Sequence, residues 1–437
     1  MAQPDHKQTL ANHFAPHSLG GKSAAASNAA VPAVSSSFIS NDNDALNAAH
    51  RLNGADSGIT APHTHARHKI AIALQGGGSW GAFSWGVLDR LLEDPDIQIA
   101  EIAGTSAGAM SGSIVAHAVN SAATYDIGAK QAREDLSKFW RCVCDSNHSL
   151  MALLTLTQNG AMAGFVDPVS NPNLPALHWF QSGKAMMDSN PFAHMMGLSG
   201  YFNRVVEGMA ASKLRSMVRN FIPSFDAIRE GKHLKLHVNA ARLTPNGFQN
   251  TVFSGQDLNI NAVLASATLR GLFKPIEIDN NRYYDGAYSQ NPPLDPLLRP
   301  KAGFGDILWI MANPPRGTIT PRPQNALTDK DLRATNDLVL HQAYDHLAHA
   351  VKTHGKGSPF HHVVWFNAPD HYDQTSKQNT EKAFLEYLFK QGRAAGEDFI
   401  KTHKAKLGKD NSADLPALQR EAKRRELSRG AYTPPKR

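Results

Sequence analysis

Apolar positions along this chain fall into two patterns, short unbroken runs and longer stretches at helical spacing, and the two alternate. Over residues 69–120, KIAIALQGGGSWGAFSWGVLDRLLEDPDIQIAEIAGTSAGAMSGSIVAHAVN, an apolar run at 70–74 is closed by a glycine-rich turn at 76–81. A run that short and that apolar fits a strand buried on both faces. Residues 82–93 then repeat at helical spacing, a second strand ends near Gly104, and a helix of small residues follows. Strand, crossover helix and parallel strand make one unit of an α/β sheet. Further along, 122–140 reads as a helix, 234–243 and 250–253 as strands, and 262–269 as a short helix. Runs at 276–279 and 282–284 flank Asn280-Asn281, a hairpin turn. Strand-length apolar runs recur at 307–311 and 362–366, and 331–353 and 381–403 read as long helices. The expected architecture is a three-layer α/β sandwich over 69–403, a mostly parallel central sheet with helices on both faces.

The pattern fades elsewhere. Residues 1–62 are rich in Ala, Ser, Asn and Gly, and such a segment buries too little to offset its ordering entropy, so disorder is expected there, with a short helix at 44–52. Residues 150–217 are broken by Pro, Gly and Asn and hold 8 of the 11 methionines. A loop-rich methionine surface can repack around acyl chains as a cap over a site, and it can equally be a patch of core. Residues 404–437 form a basic tail.

Candidate chemistry sits in the turns. Gly104-Thr105-Ser106-Ala107-Gly108 has the G-x-S-x-G form of a nucleophile elbow, in which the serine stands at a strained strand-to-helix turn and the glycines avoid clashes with strand and helix. The helix N-terminus beyond it favours developing negative charge. A second match, Gly77-Gly78-Ser79-Trp80-Gly81, carries a bulky Trp after its serine and lies among glycines better suited to presenting backbone N–H groups. Ser106 is therefore the candidate nucleophile, and Gly76, Gly77 and Gly78 the candidate oxyanion hole.

A glycine-rich loop after the first strand, a G-x-S-x-G serine soon after it, and a distant Asp285-Gly286-Ala287 within NNRYYDGAYSQNPP resemble the patatin-like phospholipases over roughly 69–296. The chain departs from their pattern at Trp80, where a basic residue is common, and at Arg270, where proline is usual. The resemblance implies a Ser106–Asp285 dyad without histidine, no metal and no cofactor, and a lipid ester as substrate. It also allows a neutral lipid, an intracellular polyester or acyl transfer to an alcohol. A carboxylate can serve as base near neutral pH only if an apolar setting raises its pKa, and Tyr283, Tyr284 and Tyr288 are at hand to supply one. Competing chemistry would be a Ser-Asp-His triad drawing on His341, His346, His349, His354, His361, His362 or His371. A lipid-binding scaffold without turnover is the non-enzymatic alternative.

Composition narrows the setting. No apolar run is long enough to span a bilayer and the first residues lack a signal-peptide core, which points to the cytoplasm, with export by another route compatible. Cys142 and Cys144 suit ordinary thiols, and His346 and His349 alone are weak metal ligands. Net charge is +7, and residues 401–437 hold 11 Lys and Arg against 4 Asp and Glu, so this segment carries the whole excess. A solvated tail is the first expectation and contact with anionic membrane the second; no nucleic-acid partner is expected.

Overall fold

A computed structural model describes residues 66–157, 211–270, 273–299, 302–313, 359–367, 376–377 and 379–413, without side chains at 145–157. The expectations for residues 1–62, most of the methionine-rich stretch, the helix at 331–353 and the tail beyond 413 lie outside these residues. The elements run β1 (His68–Leu74), α1 (Gly81–Glu93), β2 (Ile97–Gly104), α2 (Ala107–Ser121), α3 (Tyr125–Thr157), α4 (211–221), α5 (Asp226–Glu230), β3 (Lys235–Thr244) and β4 (Gly247–Ser254). They continue with α6 (Ile260–Ser266), β5 (Ile276–Ile278), β6 (Asn281–Asp285), β7 (Asp306–Met311), β8 (Phe360–Trp365) and α7 (Lys382–His403).

The fold is α/β, with one mixed sheet of eight strands. Strand β1 pairs in parallel with β2 and β7, β2 with β3, and β7 with β8. The antiparallel strands gather at one side, where β4 and β6 pair with β3 and β5 pairs with β6. Alternation along β1 sorts the two faces. Ile70, Ile72 and Leu74 pack under Phe83, Val87 and Leu91 of α1, Val115 of α2 and Leu388 of α7. Ala71 and Ala73 face the other way, where Leu294, Leu297 and Phe304 close over them beside Trp309 of β7. Helices α1 and α7 cross so closely that a Cβ at Gly86 or Gly392 would run into the backbone of the other helix. Among the described residues, no helix is long and apolar enough to cross a membrane.

Two local expectations shift. The hairpin turn is Asp279-Asn280, one residue earlier than expected, because Ile278 pairs with Asn281 and the two turn residues both have positive φ, 47° and 61°. Residues after His403, expected to begin the tail, stay packed through Ala413. Lys404 Nζ bonds Asp94 at 2.8 Å, Gly408 N–H donates to Asp306, and the Asn411 side chain accepts from His361 N–H.

Strand β3 brings the ends of β2 and β6 together. Along one edge, residues 237–244 pair with β4, so β2 and β6 must share the other edge. There Gly104, the last residue of β2, pairs with Val238, and Asp285, the last residue of β6, pairs with Ala240. The two strands run towards each other and stop two β3 residues apart.

Candidate active site

At the end of β2 the backbone turns into α2 through Ser106, whose φ of 54° and ψ of −122° put it where L-residues are strained. The elbow glycines are required by close approach: a Cβ at Gly108 would stand 2.6 Å from the Leu74 carbonyl oxygen, and one at Gly104 2.8 Å from Ala109 N. Ser106 N–H donates to Ser266 Oγ of α6 at 2.9 Å, a buried hydroxyl that ties the elbow to the next helix.

Asp285 arrives from the opposite direction. Its N–H donates to the Thr268 carbonyl at 2.7 Å and its carboxylate accepts from Ala287 N–H at 2.8 Å. Ser106 and Asp285, 179 positions apart in sequence, come together here, the Ser106 hydroxyl close enough to the Asp285 carboxyl to lower its pKa. The carboxyl is 1% exposed. Burial pushes its pKa up to about 7, against the smaller pull of the Ala287 N–H and the Ser106 hydroxyl. Among the described residues no cationic side chain pairs with it, and the group sits near the midpoint of its titration at neutral pH. Tyr288 packs close enough for the Asp285 charge to raise its own pKa, after burial, and its hydroxyl accepts from Arg270 N–H at 3.1 Å.

The glycine loop packs directly on Ser106, since a Cβ at Gly76 would lie 2.7 Å from Ser106 Cβ. Its three glycines are not equivalent. Gly76 N–H already donates to Asn291 Oδ1 at 2.7 Å, so it has no free donor for an oxyanion, contrary to the expectation that included it. Its carbonyl accepts from Asn291 Nδ2 at 3.2 Å and Asn313 Nδ2 at 2.9 Å. Gln75 completes the clamp, with Oε1 accepting from Asn313 N–H at 2.7 Å. No described residue accepts from Gly77 or Gly78 N–H. Asn291 and Asn313 carry no signal as lone asparagines, but each begins an Asn-Pro-Pro, and that repeat could have marked them.

The remaining candidates fall away from this centre. Ser79 is buried and donates to the Ser376 carbonyl at 3.0 Å. Trp80 is buried edge-on against Phe366, its Nε1–H bonded to Ser376 Oγ at 3.0 Å. His361 and His362 are buried in β8, at the far side of the sheet from β3, where His362 bridges Asp306 at 2.9 Å and Ser412 at 2.8 Å. His341, His346, His349, His354 and His371 lie outside the described residues. Cys142 and Cys144 are half-buried in α3.

A model of the patatin-like phospholipase family matches residues 72–298, just over half of the chain, and spans the glycine loop, Ser106, Asp285 and Asn291. The chain belongs to the patatin-like phospholipase family. Among solved structures, this patatin-like chain is similar to VipD from Legionella pneumophila at 14% identity, with a TM-score of 0.34, covering 84% of this chain and 75% of that one. It is also similar to the type III effector protein ExoU at 16% identity and a TM-score of 0.28, covering 82% of this chain and 54% of that one. A third similarity is to the heterodimeric ExoU–SpcU complex from the type III secretion system of Pseudomonas aeruginosa, at 13% identity, a TM-score of 0.28, and coverage of 83% and 60%. The chain thus spans about half the length of the ExoU chain. No curated protein matches it in sequence.

Proposed function

We propose that this patatin-like chain is a serine acyl hydrolase that cleaves carboxylic ester bonds of phospholipids or related lipids through an acyl-enzyme on Ser106. The observation that carries this reading is a strained serine beside a buried carboxylate whose pKa is pushed up to about 7. Asp285 takes the Ser106 proton as Oγ attacks the ester carbonyl carbon. The resulting oxyanion is met by the N–H groups of Gly77 and Gly78, held in place by the clamp on Gly76. The carbon–oxygen bond to the alcohol then breaks, and the leaving oxygen takes the proton from Asp285. Water repeats the sequence on the acyl-enzyme, giving its proton to Asp285 and returning Ser106 to its starting state. A histidine is unnecessary because burial already brings the carboxylate to the working pH.

The test is hydrolysis of a short-chain p-nitrophenyl ester and of mixed phospholipid vesicles by wild type, Ser106→Ala and Asp285→Asn, with a fluorophosphonate probe to mark the acylated serine. Wild-type turnover with labelling at Ser106, and loss of both in folded variants, is the expected result. A folded wild type that neither turns over nor labels, even with vesicles present, would leave a lipid-binding scaffold as the reading.

A further inference from the structure

We propose that Asn239 is a positioning residue that fixes Ser106 against Asp285, by holding the residue before the serine and the residue after the aspartate from one side-chain amide. This rests on the dyad reading. Asn239 lies in β3 between Val238, the partner of Gly104, and Ala240, the partner of Asp285, at the gap where β2 and β6 stop short of each other. Its side chain is fully buried. On one side, Oδ1 accepts from Thr105 Oγ1–H at 2.7 Å. On the other, Nδ2 donates to the Gln290 carbonyl at 2.9 Å, to Asn250 Oδ1 at 3.1 Å and to the Gly286 carbonyl at 3.3 Å.

A backbone ladder cannot do this work. Each strand is hydrogen-bonded to β3, but nothing in a ladder links the end of one strand to the end of the strand facing it. The Asn239 amide, rooted between the two partners, reaches both, and the Thr105 Oγ1–H it accepts from also reaches the Gln290 carbonyl, at 3.2 Å. The fit is close: a Cβ at Gly286 would stand 2.5 Å from Asn239 Oδ1 and 2.6 Å from its carbonyl oxygen, which gives Asp285-Gly286 its glycine. A neutral amide also suits the place, because it supplies one acceptor and two donors without adding a charge beside a carboxylate whose pKa is set by burial. Asn250 extends the same neutral network, donating to Gln290 Oε1 at 3.0 Å and accepting from Ser289 Oγ at 3.1 Å. Among the described residues, the titratable groups that act on Tyr288 beside Asp285 are Tyr284 and Arg270, and neither they nor Tyr288 bond to Asn239.

The experiment is the rate of fluorophosphonate labelling at Ser106 as a function of pH, with ester kcat and KM and thermal stability, for wild type, Asn239→Ala, Thr105→Val and the double variant. Folded Asn239→Ala should label and turn over roughly 10–100-fold more slowly, with little change in KM, because reacting groups displaced by about 1 Å lose that much. Its pH midpoint should lie above that of wild type, since the Ser106 hydroxyl that lowers the Asp285 pKa is displaced. Thr105→Val should act in the same direction, and the double variant should be slower than Asn239→Ala by less than the product of the two single effects, because the Thr105 hydroxyl keeps its Gln290 contact when Asn239 is removed. A role confined to stability would lower the melting temperature and leave rate and midpoint per folded molecule unchanged, which would overturn the proposal. Should Asn239→Ala not fold, Thr105→Val alone decides: labelling at the wild-type rate and midpoint overturns the proposal. Failure of wild type to label at Ser106 would instead remove the dyad reading beneath it.

Discussion

Two buried carboxylates flank strand β3, and they differ in every respect that matters for chemistry. Glu101, in β2 two residues before Ala103, the partner of His237, meets His237 Nε2 at 3.1 Å and the Arg299 guanidinium. Burial pushes its pKa up, yet hydrogen bonds from His237 and Arg299 outweigh burial, and the net shift is downward. Asp285, opposite Ala240 in the middle of the same strand, has no cation beside it among the described residues, and burial takes it to about 7. The first carboxylate stays charged and holds segments together. The second stands ready to exchange a proton. The Glu101 cluster even continues to Ser254 Oγ, 2.6 Å from His237 Nδ1, and so has the composition of a triad. Ser254, however, sits on ordinary extended backbone at φ −147°, whereas Ser106 is at 54°. The chain His362, Asp306 and Ser412 repeats the arrangement at the far side of the sheet. Under the proposed function, a row of hydroxyl, imidazole and carboxylate does not mark the reactive site; backbone strain and a buried acid with no cationic partner among the described residues do.

The comparison can be broken most severely at Ser106 and Asp285. Ser106→Ala and Asp285→Asn should each lower ester turnover by on the order of 10⁴-fold, a loss that Ser254→Ala should not approach. Ester hydrolysis by the three purified variants checks this, and a Ser254→Ala enzyme as damaged as Ser106→Ala would erase the distinction.

The next effect is on stability, and its sign follows from the raised pKa. Folded Asp285 titrates near 7 and the unfolded side chain near 3.8, so the folded state favours the protonated form. Its contribution is fully present below the unfolded value and is lost as pH rises through about 7. Above that pH the buried charge costs on the order of 4 kcal/mol, which Asp285→Asn removes. Denaturant unfolding at pH 5 and pH 8 should show the variant gaining on wild type at the higher pH. Over the same range, activity of wild type should rise as Asp285 loses its proton.

Arg299→Ala sharpens the contrast from the other side. Removing the cation from Glu101 should cost roughly 1–3 kcal/mol of stability while leaving turnover per folded molecule unchanged. Melting temperature and kcat, measured together, separate the two. The smallest effect is expected at the strained serine itself: Ser106→Gly should be inactive but about 1 kcal/mol more stable, because glycine adopts positive φ without penalty.

Much of this protein is legible in its sequence because the signals concerned are local. Apolar runs and helical spacing locate β1, α1, β2 and α7 to within a residue or two, and the G-x-S-x-G turn marks Ser106 because a strained elbow needs glycine at fixed offsets. What the sequence could not decide depends on which distant segments become neighbours. Asp285 reaches Ser106 only because β6 and β2 share one edge of β3 and end two residues apart on it. Its raised pKa comes from burial with no cation at hand among the described residues, while Glu101, also a buried acid, is lowered by His237 and Arg299 brought from elsewhere in the chain. The loss of Gly76 as a donor follows from Asn291, 215 positions away. Local pattern sets backbone shape, which a few adjacent residues determine. Proton affinity and hydrogen-bond partnership belong to the packed surroundings, and those exist only once the sheet has closed.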